Sequence, residues 1–454
     1  LSFAEKFDKT GENMSIKVSL VSLGCSKNLV DSERMLFKCQ SHGYEIVVDP
    51  AKADAVIVNT CGFIQSAKEE AIDTILELCS LKKEGTIKKI ILTGCLTERY
   101  RDEVADEFEE VDAVVGFSDE KDIVDILDEV LKDERVINFE PKETAELEGK
   151  RILTTLPFFA YIKIAEGCNN KCSYCAIPKI RGAYRSVPFE KVISEAKFWA
   201  ENGVKEIILI AQDTTMYGID LYGKSRLAEL LKELCKIDKL KWIRVLYTYP
   251  ERIGDDLIEV MASEDKIVKY FDMPIQHCSK PILKAMRRPA SKENLTALIE
   301  KIRNKIPDVT LRTTLITGFP NETEENFEEL AEFVKEIKFD HLGCFAYSQE
   351  EGTEAAEFDN QIDDDIKNHR SEIIMEQQML INAEKLEEKI GKTIEVVIEG
   401  FDKYAEVYFG RSAYDAPDID GKVFVASEKP LKIGDFCMVQ INESMDYDLI
   451  GEVI

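Results

Sequence analysis

Three cysteines, Cys168, Cys172 and Cys175, stand in a C-x-x-x-C-x-x-C spacing after the apolar run Phe158–Ala165. Thiolates this close can grip three corners of a cubane iron–sulfur cluster and leave the fourth iron without a protein ligand. An open metal position is where a substrate or cofactor binds. A structural zinc site is the alternative. Such sites close with four ligands, and no His or fourth Cys follows within the next dozen residues.

Three further cysteines each follow a short strand pattern. Lys17–Leu23 runs into Gly24-Cys25, Ala55–Asn59 into Thr60-Cys61, and Lys89–Thr93 into Gly94-Cys95. Helical patterns near Ser32–His42, Ser66–Leu78 and Glu98–Phe108 separate them, and short strands are predicted at Glu45–Val48 and Asp112–Val115. Alternating strands and helices imply an open parallel α/β sheet. Ligands bind such sheets beyond the C-terminal strand ends. In a flavodoxin-like order the strands bearing Cys25, Cys61 and Cys95 are neighbours, so the three thiols share one metal site. A lone cysteine after a strand is an ordinary loop residue, which three at equivalent ends are not. Gly24, Asn59, Thr60 and Gly94 read as turn formers, with hydrogen bonding to cluster sulfurs as their other role.

The first cysteine trio must be held by its own scaffold. Six apolar strands recur at Phe158–Ala165, Glu206–Ala211, Trp242–Leu246, Tyr270–Pro274, Thr310–Thr317 and His341–Tyr347, with helical patterns between them. Six such units predict a partial (βα)6 barrel with its chemistry at the C-terminal strand ends. Those ends carry the trio, then Gln212-Asp213-Thr214-Thr215, Tyr247 and Tyr249, Gln276-His277, Gly318–Glu322, and Tyr347-Ser348. Gly318 suits close backbone approach to a ligand or an ordinary turn. Glu322 suits a helix N-terminus or a ligand contact. His277 reads as a structural histidine ahead of a proton donor.

Composition sets the frame. The 454 residues allow about three domains. A hydrophobic content of 44% lets each bury a core. No run reaches the roughly 18 apolar residues of a membrane span. Leu1–Asn13 has no apolar signal-peptide core and reads, ahead of Met14, as an upstream extension or tail. A soluble, cytoplasmic protein without membrane association is expected. Twelve cysteines then argue for metal ligation over disulfides. Cys39, Cys79 and Cys235 fall in helical patterns and read as core; Cys278, Cys344 and Cys437 are isolated and read as structural. The net charge of −28 repels phosphate backbones.

Pro141–Leu156 is charged and aperiodic, a linker ending at Pro157. Glu372–Lys389 is a helical pattern. Beyond Gly391 come five short alternating runs, Thr393–Ile398, Tyr404–Phe409, Lys422–Val425, Phe436–Ile441 and Leu449–Val453, which predict a small all-β barrel. From Ile390 onward six Lys/Arg face 13 Asp/Glu. This acidity disfavours direct RNA binding and suits a basic protein partner.

The motif Cys168–Cys175, with aromatic Tyr174 before its last cysteine, resembles that of the radical S-adenosylmethionine (SAM) enzymes. The last segment resembles a TRAM domain. With two cysteine trios ahead of it, nearly the whole chain resembles the radical SAM methylthiotransferases. One branch of that family modifies a tRNA adenosine; the other modifies an aspartate of small-subunit ribosomal protein twelve. Ala165–Asn169, Gln212–Gly218 and Gly410–Gly421 look like the second.

The resemblance implies two [4Fe–4S] clusters and SAM as cofactors. Cys168, Cys172 and Cys175 would hold the cluster that cleaves SAM to a deoxyadenosyl radical, which takes hydrogen from the aspartate β-carbon. Cys25, Cys61 and Cys95 would hold the cluster that presents sulfur or methylthio, and a second SAM the methyl group. The two sites are expected to face each other across a domain interface. Tyr174, Gln212, Asp213, Ile316, Gly318 and Glu322 are the implied SAM contacts; Asp213 departs from the family's usual Gly-Gly-Glu. An electron donor such as flavodoxin or ferredoxin is implied. A tRNA methylthiotransferase and an iron–sulfur sensor are the alternatives. The expected division is a tail (1–13), an N-terminal α/β domain (14–140), a linker (141–157), a radical SAM domain (158–375), a connecting helix (376–389) and a TRAM-like domain (390–454).

Overall fold

The computed structural model describes residues 5–7 and 13–454. Glu5–Phe7 pairs antiparallel with Asn13–Ser15. The rest of the expected tail, 1–4 and 8–12, lies outside the described residues. The chain divides into two compact units. The first comprises the residues up to Thr154 together with 165–170 and 175–187; the second comprises 155–164, 171–174 and 188–454.

The first unit is built on a six-stranded parallel sheet. Its order is Glu45–Ile46, Lys17–Ser22, Ala55–Thr60, Lys89–Gly94, Ala113–Val115, Val136–Asn138. The three strands that precede cysteines are therefore direct neighbours. In Ala55–Thr60 and Lys89–Gly94 the runs of Val, Ile and Leu are buried on both faces, as a parallel sheet covered by helices requires, while Leu20 and Val21 of Lys17–Ser22 are half-buried. The sixth strand, Val136–Asn138, is too short and half-exposed to carry a periodicity, and the sequence does not announce it.

The charged stretch after it is not simply solvated. Arg34 donates to the carbonyl of Leu147 at 2.8 Å, and Arg151 forms an ion pair with Glu33, both residues buried. Glu33 also accepts from the backbone N–H of Thr154 at 2.7 Å. The linker is thus pinned to helix Ser26–His42 by ion pairs that join residues over a hundred positions apart, which no local pattern reveals.

The second unit contains a partial barrel in two parallel three-stranded sheets. Phe159–Lys163, Glu206–Ile210 and Trp242–Val245 form one, and Tyr270–Asp272, Thr310–Thr317 and His341–Ala346 the other. Backbone bonds such as Thr248 N–H to the Asp272 carbonyl, 2.9 Å, stitch their facing edges. Five antiparallel and parallel strands, Thr393–Asp402, Val407–Ser412, Val423–Ala426, Phe436–Met445 and Asp448–Val453, then close a small barrel around Val396, Ile398, Val423, Val439 and Ile441.

The segment Gly410–Gly421 has a structural job in this unit. Arg411 pairs with Glu206, the first residue of its strand, and with Glu399 at 2.8 Å. Arg244 reaches Glu206 at 3.0 Å and the carbonyl of Ala413 at 3.1 Å. Asp420 accepts from Tyr270 Oη at 2.6 Å and Arg312 Nε at 3.3 Å. These partners sit near the N-terminal ends of the barrel strands, the end opposite the chemistry, so the segment anchors the small barrel to the stability face of the larger one. Among the described residues, no helix is long and apolar enough to cross a membrane.

Candidate active site: the two cysteine sets

Cys25, Cys61 and Cys95 come together because three adjacent parallel strands end in register. Ser22 pairs with Asn59, and Asn59 with Thr93, each just ahead of its cysteine. A Cβ built on Gly24 would lie 2.7 Å from Cys61 Cβ and 2.8 Å from Cys61 Sγ, so the Cys25 loop rests directly on Cys61. Cys61 and Cys95 are buried, while Cys25 is exposed at the rim.

Their protonation differs accordingly. Burial pushes the Cys95 thiol up to about 12, against the pull of Arg181. Burial also raises Cys61. At Cys25 lost hydration works against the thiolate, but Lys27, the backbone N–H of Asn28 and Arg181 outweigh it and hold the thiol below its ordinary value. Among the described residues no group of three His, Cys, Asp or Glu is arranged around a single metal ion. A cubane spreads its thiolates over separate irons, and three thiols on one sheet edge fit that donor set.

In the first unit, Cys168 follows Gly167, whose φ is 77° and whose Cβ position would overlap the carbonyl oxygen of Ala183. Cys168 N–H donates to the Gly182 carbonyl at 3.1 Å, and Asn169 Oδ1 accepts from Tyr184 N–H at 3.0 Å. These bonds fold the start of the cysteine loop against residues 182–184. Cys175 leads through Ala176 into the short helix Ile177–Arg181, and Ala176 and Ile180 pack on Cys95. In the second unit, Cys172 is half-buried beside Tyr249, whose hydroxyl burial raises above its ordinary value. Arg288 stacks 4.0 Å from the Tyr249 ring centroid and is clamped by Glu251 at 3.0 Å through two nitrogens. Thiol-only donors at this spacing suit a cluster with one open iron.

The expected SAM contacts sort into two groups. Tyr174 and Ile316 pack against one apolar cluster around Ile282, Met286, Phe319 and Tyr347. Half-buried Gln212 stands at its strand end. The carboxylates, however, are engaged within the protein. Asp213 Oδ1 caps Thr215 N–H at 3.0 Å and Oδ2 pairs with Arg252 at 2.6 Å. Glu322 accepts from Gly318 N–H at 2.9 Å and from Arg370 at 2.8 Å, and lies 3.3 Å from His277 Nε2. A Cβ on Gly318 would collide with the Lys367 side chain, so its bareness serves that packing. His277, structural by sequence, accepts from Ser279 N–H at 2.9 Å and lies beside Glu322, 45 positions away.

Sequence reasoning missed Arg181, Asn28, Asp31 and Arg288, and gave Glu166 no role beyond its place in Ala165–Asn169. The only sequence signal was a lone arginine ending the apolar turn after Cys175, which resembles any surface charge.

A C-x-x-x-C-x-x-C trio after the first strand of a partial barrel places this unit in the radical SAM class. Residues 162–334 match the Radical SAM superfamily, 17–116 the Uncharacterized protein family UPF0004, and 390–454 the TRAM domain. In the Clostridioides difficile (strain 630) protein named ribosomal protein uS12 methylthiotransferase RimO, 51% of 440 aligned residues are identical, covering 97% of this chain and 99% of that one. A protein of the same name from Lachnoclostridium phytofermentans is 49% identical over 437 residues, 96% and 99% of the two chains. The chain belongs to the ribosomal protein uS12 methylthiotransferase family. Its fold is also similar to the radical SAM methyltransferase TsrM from Kitasatospora setae, with a TM-score of 0.54 at 13% identity, covering 73% and 75% of the chains.

Proposed function

We propose that this chain inserts a methylthio group at the β-carbon of an aspartate in ribosomal protein uS12. Cys168, Cys172 and Cys175 hold one [4Fe–4S] cluster, and Cys25, Cys61 and Cys95 the second. The observation that carries this reading is the set of three thiols at three adjacent strand ends, in a chain that matches the uS12 family over nearly its full length. The bound groups supply what side chains cannot: a radical able to take hydrogen from an unactivated carbon, and sulfur to quench it.

The chain's own residues do the holding. Tyr174 and Ile316 offer an apolar wall for the adenosine of SAM, and Gln212 a polar edge. Asp213, Gly318 and Glu322 act by fixing the strand-end loops. The functional parts are taken as 14–140, 158–375 and 390–454, joined by the linker 141–157 and the connecting segment 376–389, most of which is the end of helix Asp364–Glu387. The small barrel offers an acidic face to a basic protein. Setting aside Arg411, Glu399, Asp415 and Asp420, which are tied up inside, five Lys/Arg still face ten Asp/Glu from Ile390 onward. A flavodoxin or ferredoxin in the cytoplasm is the electron source.

The test is intact-mass analysis of uS12 incubated with the reconstituted enzyme, SAM, sulfide and reductant, beside a matched tRNA reaction. A methylthio gain on uS12 is expected. A gain on tRNA alone would replace this substrate with the other one.

A further inference from the structure

Arg181 is only 2% exposed, although nothing in the proposed chemistry asks for an arginine there. It ends the helix that follows Cys175. Its Nε donates to Cys95 Sγ at 3.3 Å. Nη1 reaches Asp31 at 2.9 Å and Glu166 at 3.2 Å, and Nη2 donates to Asn28 Oδ1. The guanidinium also lies 4.7 Å from the Phe117 ring centroid.

Asn28 extends this reach. Its Nδ2 donates to the carbonyls of Leu23 and Thr60, both at 3.0 Å. Those carbonyls lie in the turns that lead into Cys25 and Cys61. One buried cation therefore touches one ligand sulfur directly and holds the turns of the other two through a single amide. Carrying a full charge into the interior is costly, and two carboxylates would compensate it without any contact to sulfur. The geometry spends the Nε donor on Cys95 instead.

We propose that Arg181 is a positioning residue of the second cluster, holding its three thiolates in place and raising its midpoint potential. This rests on the reading that Cys25, Cys61 and Cys95 ligate a cluster. Reduction adds one electron, and so one negative charge, to a cluster that already carries three thiolates. A hydrogen bond and a positive charge at a ligand sulfur favour that more negative state. Arg181 stays protonated throughout, so no proton moves with the electron.

The experiment uses the full chain with Cys168, Cys172 and Cys175 changed to alanine, so that only the second cluster forms. After reconstitution with ferrous iron and sulfide, dithionite with mediators supplies the electron while electron paramagnetic resonance follows reduction. If this protein takes up no cluster, the assignment of Cys25, Cys61 and Cys95 fails, whatever Arg181 does. With the cluster loaded, Arg181→Gln should lower the reduced-to-oxidised ratio at least about tenfold at the parent's midpoint, which is 59 mV for one electron. Arg181→Lys, which keeps the charge, should recover most of that loss. An unchanged midpoint in loaded Arg181→Gln overturns the proposal. The same parent protein grown with 15N-arginine provides a readout that needs no Arg181 variant: the reduced cluster should show hyperfine coupling to an arginine nitrogen, and its absence overturns the proposal as well.

Discussion

His277 and Glu322 face each other at 3.3 Å with no solvent access to either side chain. His277 Nδ1 accepts from Ser279 N–H at 2.9 Å, which turns Nε2 toward the carboxylate. Glu322 also holds Arg370 and the Gly318 N–H. The acidic residue of the strand-five loop is thus the centre of a buried polar knot that fixes the loop.

Glu322→Ala should therefore act on folding first. It removes one of the two carboxylates that Arg370 pairs with, leaving Glu324 at 2.9 Å, and strands the buried Gly318 N–H, at a cost of about 1–3 kcal/mol. Urea unfolding of the chain should show that loss. A variant of unchanged stability that no longer binds SAM would make Glu322 a ligand contact instead.

Gly167→Ala should remove the cluster of Cys168, Cys172 and Cys175 and leave the other. A methyl group there meets the backbone carbonyl of Ala183, which cannot swing aside as a flexible side chain could, and φ is 77°. The Cys168 loop must shift as a whole. The variant should retain roughly four of about eight irons and lose reductive SAM cleavage. Full iron content would show that the loop tolerates the shift.

Much of this arrangement was legible in the sequence because it is written in local patterns. Runs such as Ala55–Asn59 and Lys89–Thr93 are apolar on both faces, mark buried parallel strands, and place their cysteines at strand ends without any tertiary knowledge. The adjacency of the three strands rested on a flavodoxin-like order taken as a premise, and the sheet has that order. What stayed hidden is carried by single polar residues paired over long distances: Arg181 with Asn28 and Asp31, His277 with Glu322, Arg411 with Glu206. An isolated Arg or Glu in a sequence reads as solvated surface, and only the fold shows that it is buried and matched.

The Glu206–Arg411–Arg244 network makes a pH prediction. Burial pushes Glu206 toward its neutral form, but Arg411 and Arg244 overcome this and hold its carboxyl below the ordinary range. A depressed folded value means that the ionised pair's stability is fully present above the unfolded pKa, about 4.3. It is lost as pH falls through the lower folded value. Fluorescence of Trp242, whose ring lies 5.9 Å from the Arg411 guanidinium, should report unfolding that is insensitive to this group from neutral pH down to about 5 and steepens below about 4. Glu206→Gln should be less stable at neutral pH yet lose less on acidification. Parallel acid curves for the two proteins would place the acid sensitivity elsewhere.

Cys25→Ala separates the two cluster assignments. Cys25 is the exposed member of its set, so its replacement costs little packing, and any loss of iron reports ligation. The variant should lose roughly four irons. It should still cleave SAM to 5′-deoxyadenosine under dithionite, because Cys168, Cys172 and Cys175 are untouched, and it should add no methylthio group to uS12. Iron analysis and chromatography of the nucleoside product read these outcomes side by side. If SAM cleavage vanished together with the iron, the two cysteine sets would not be holding independent clusters.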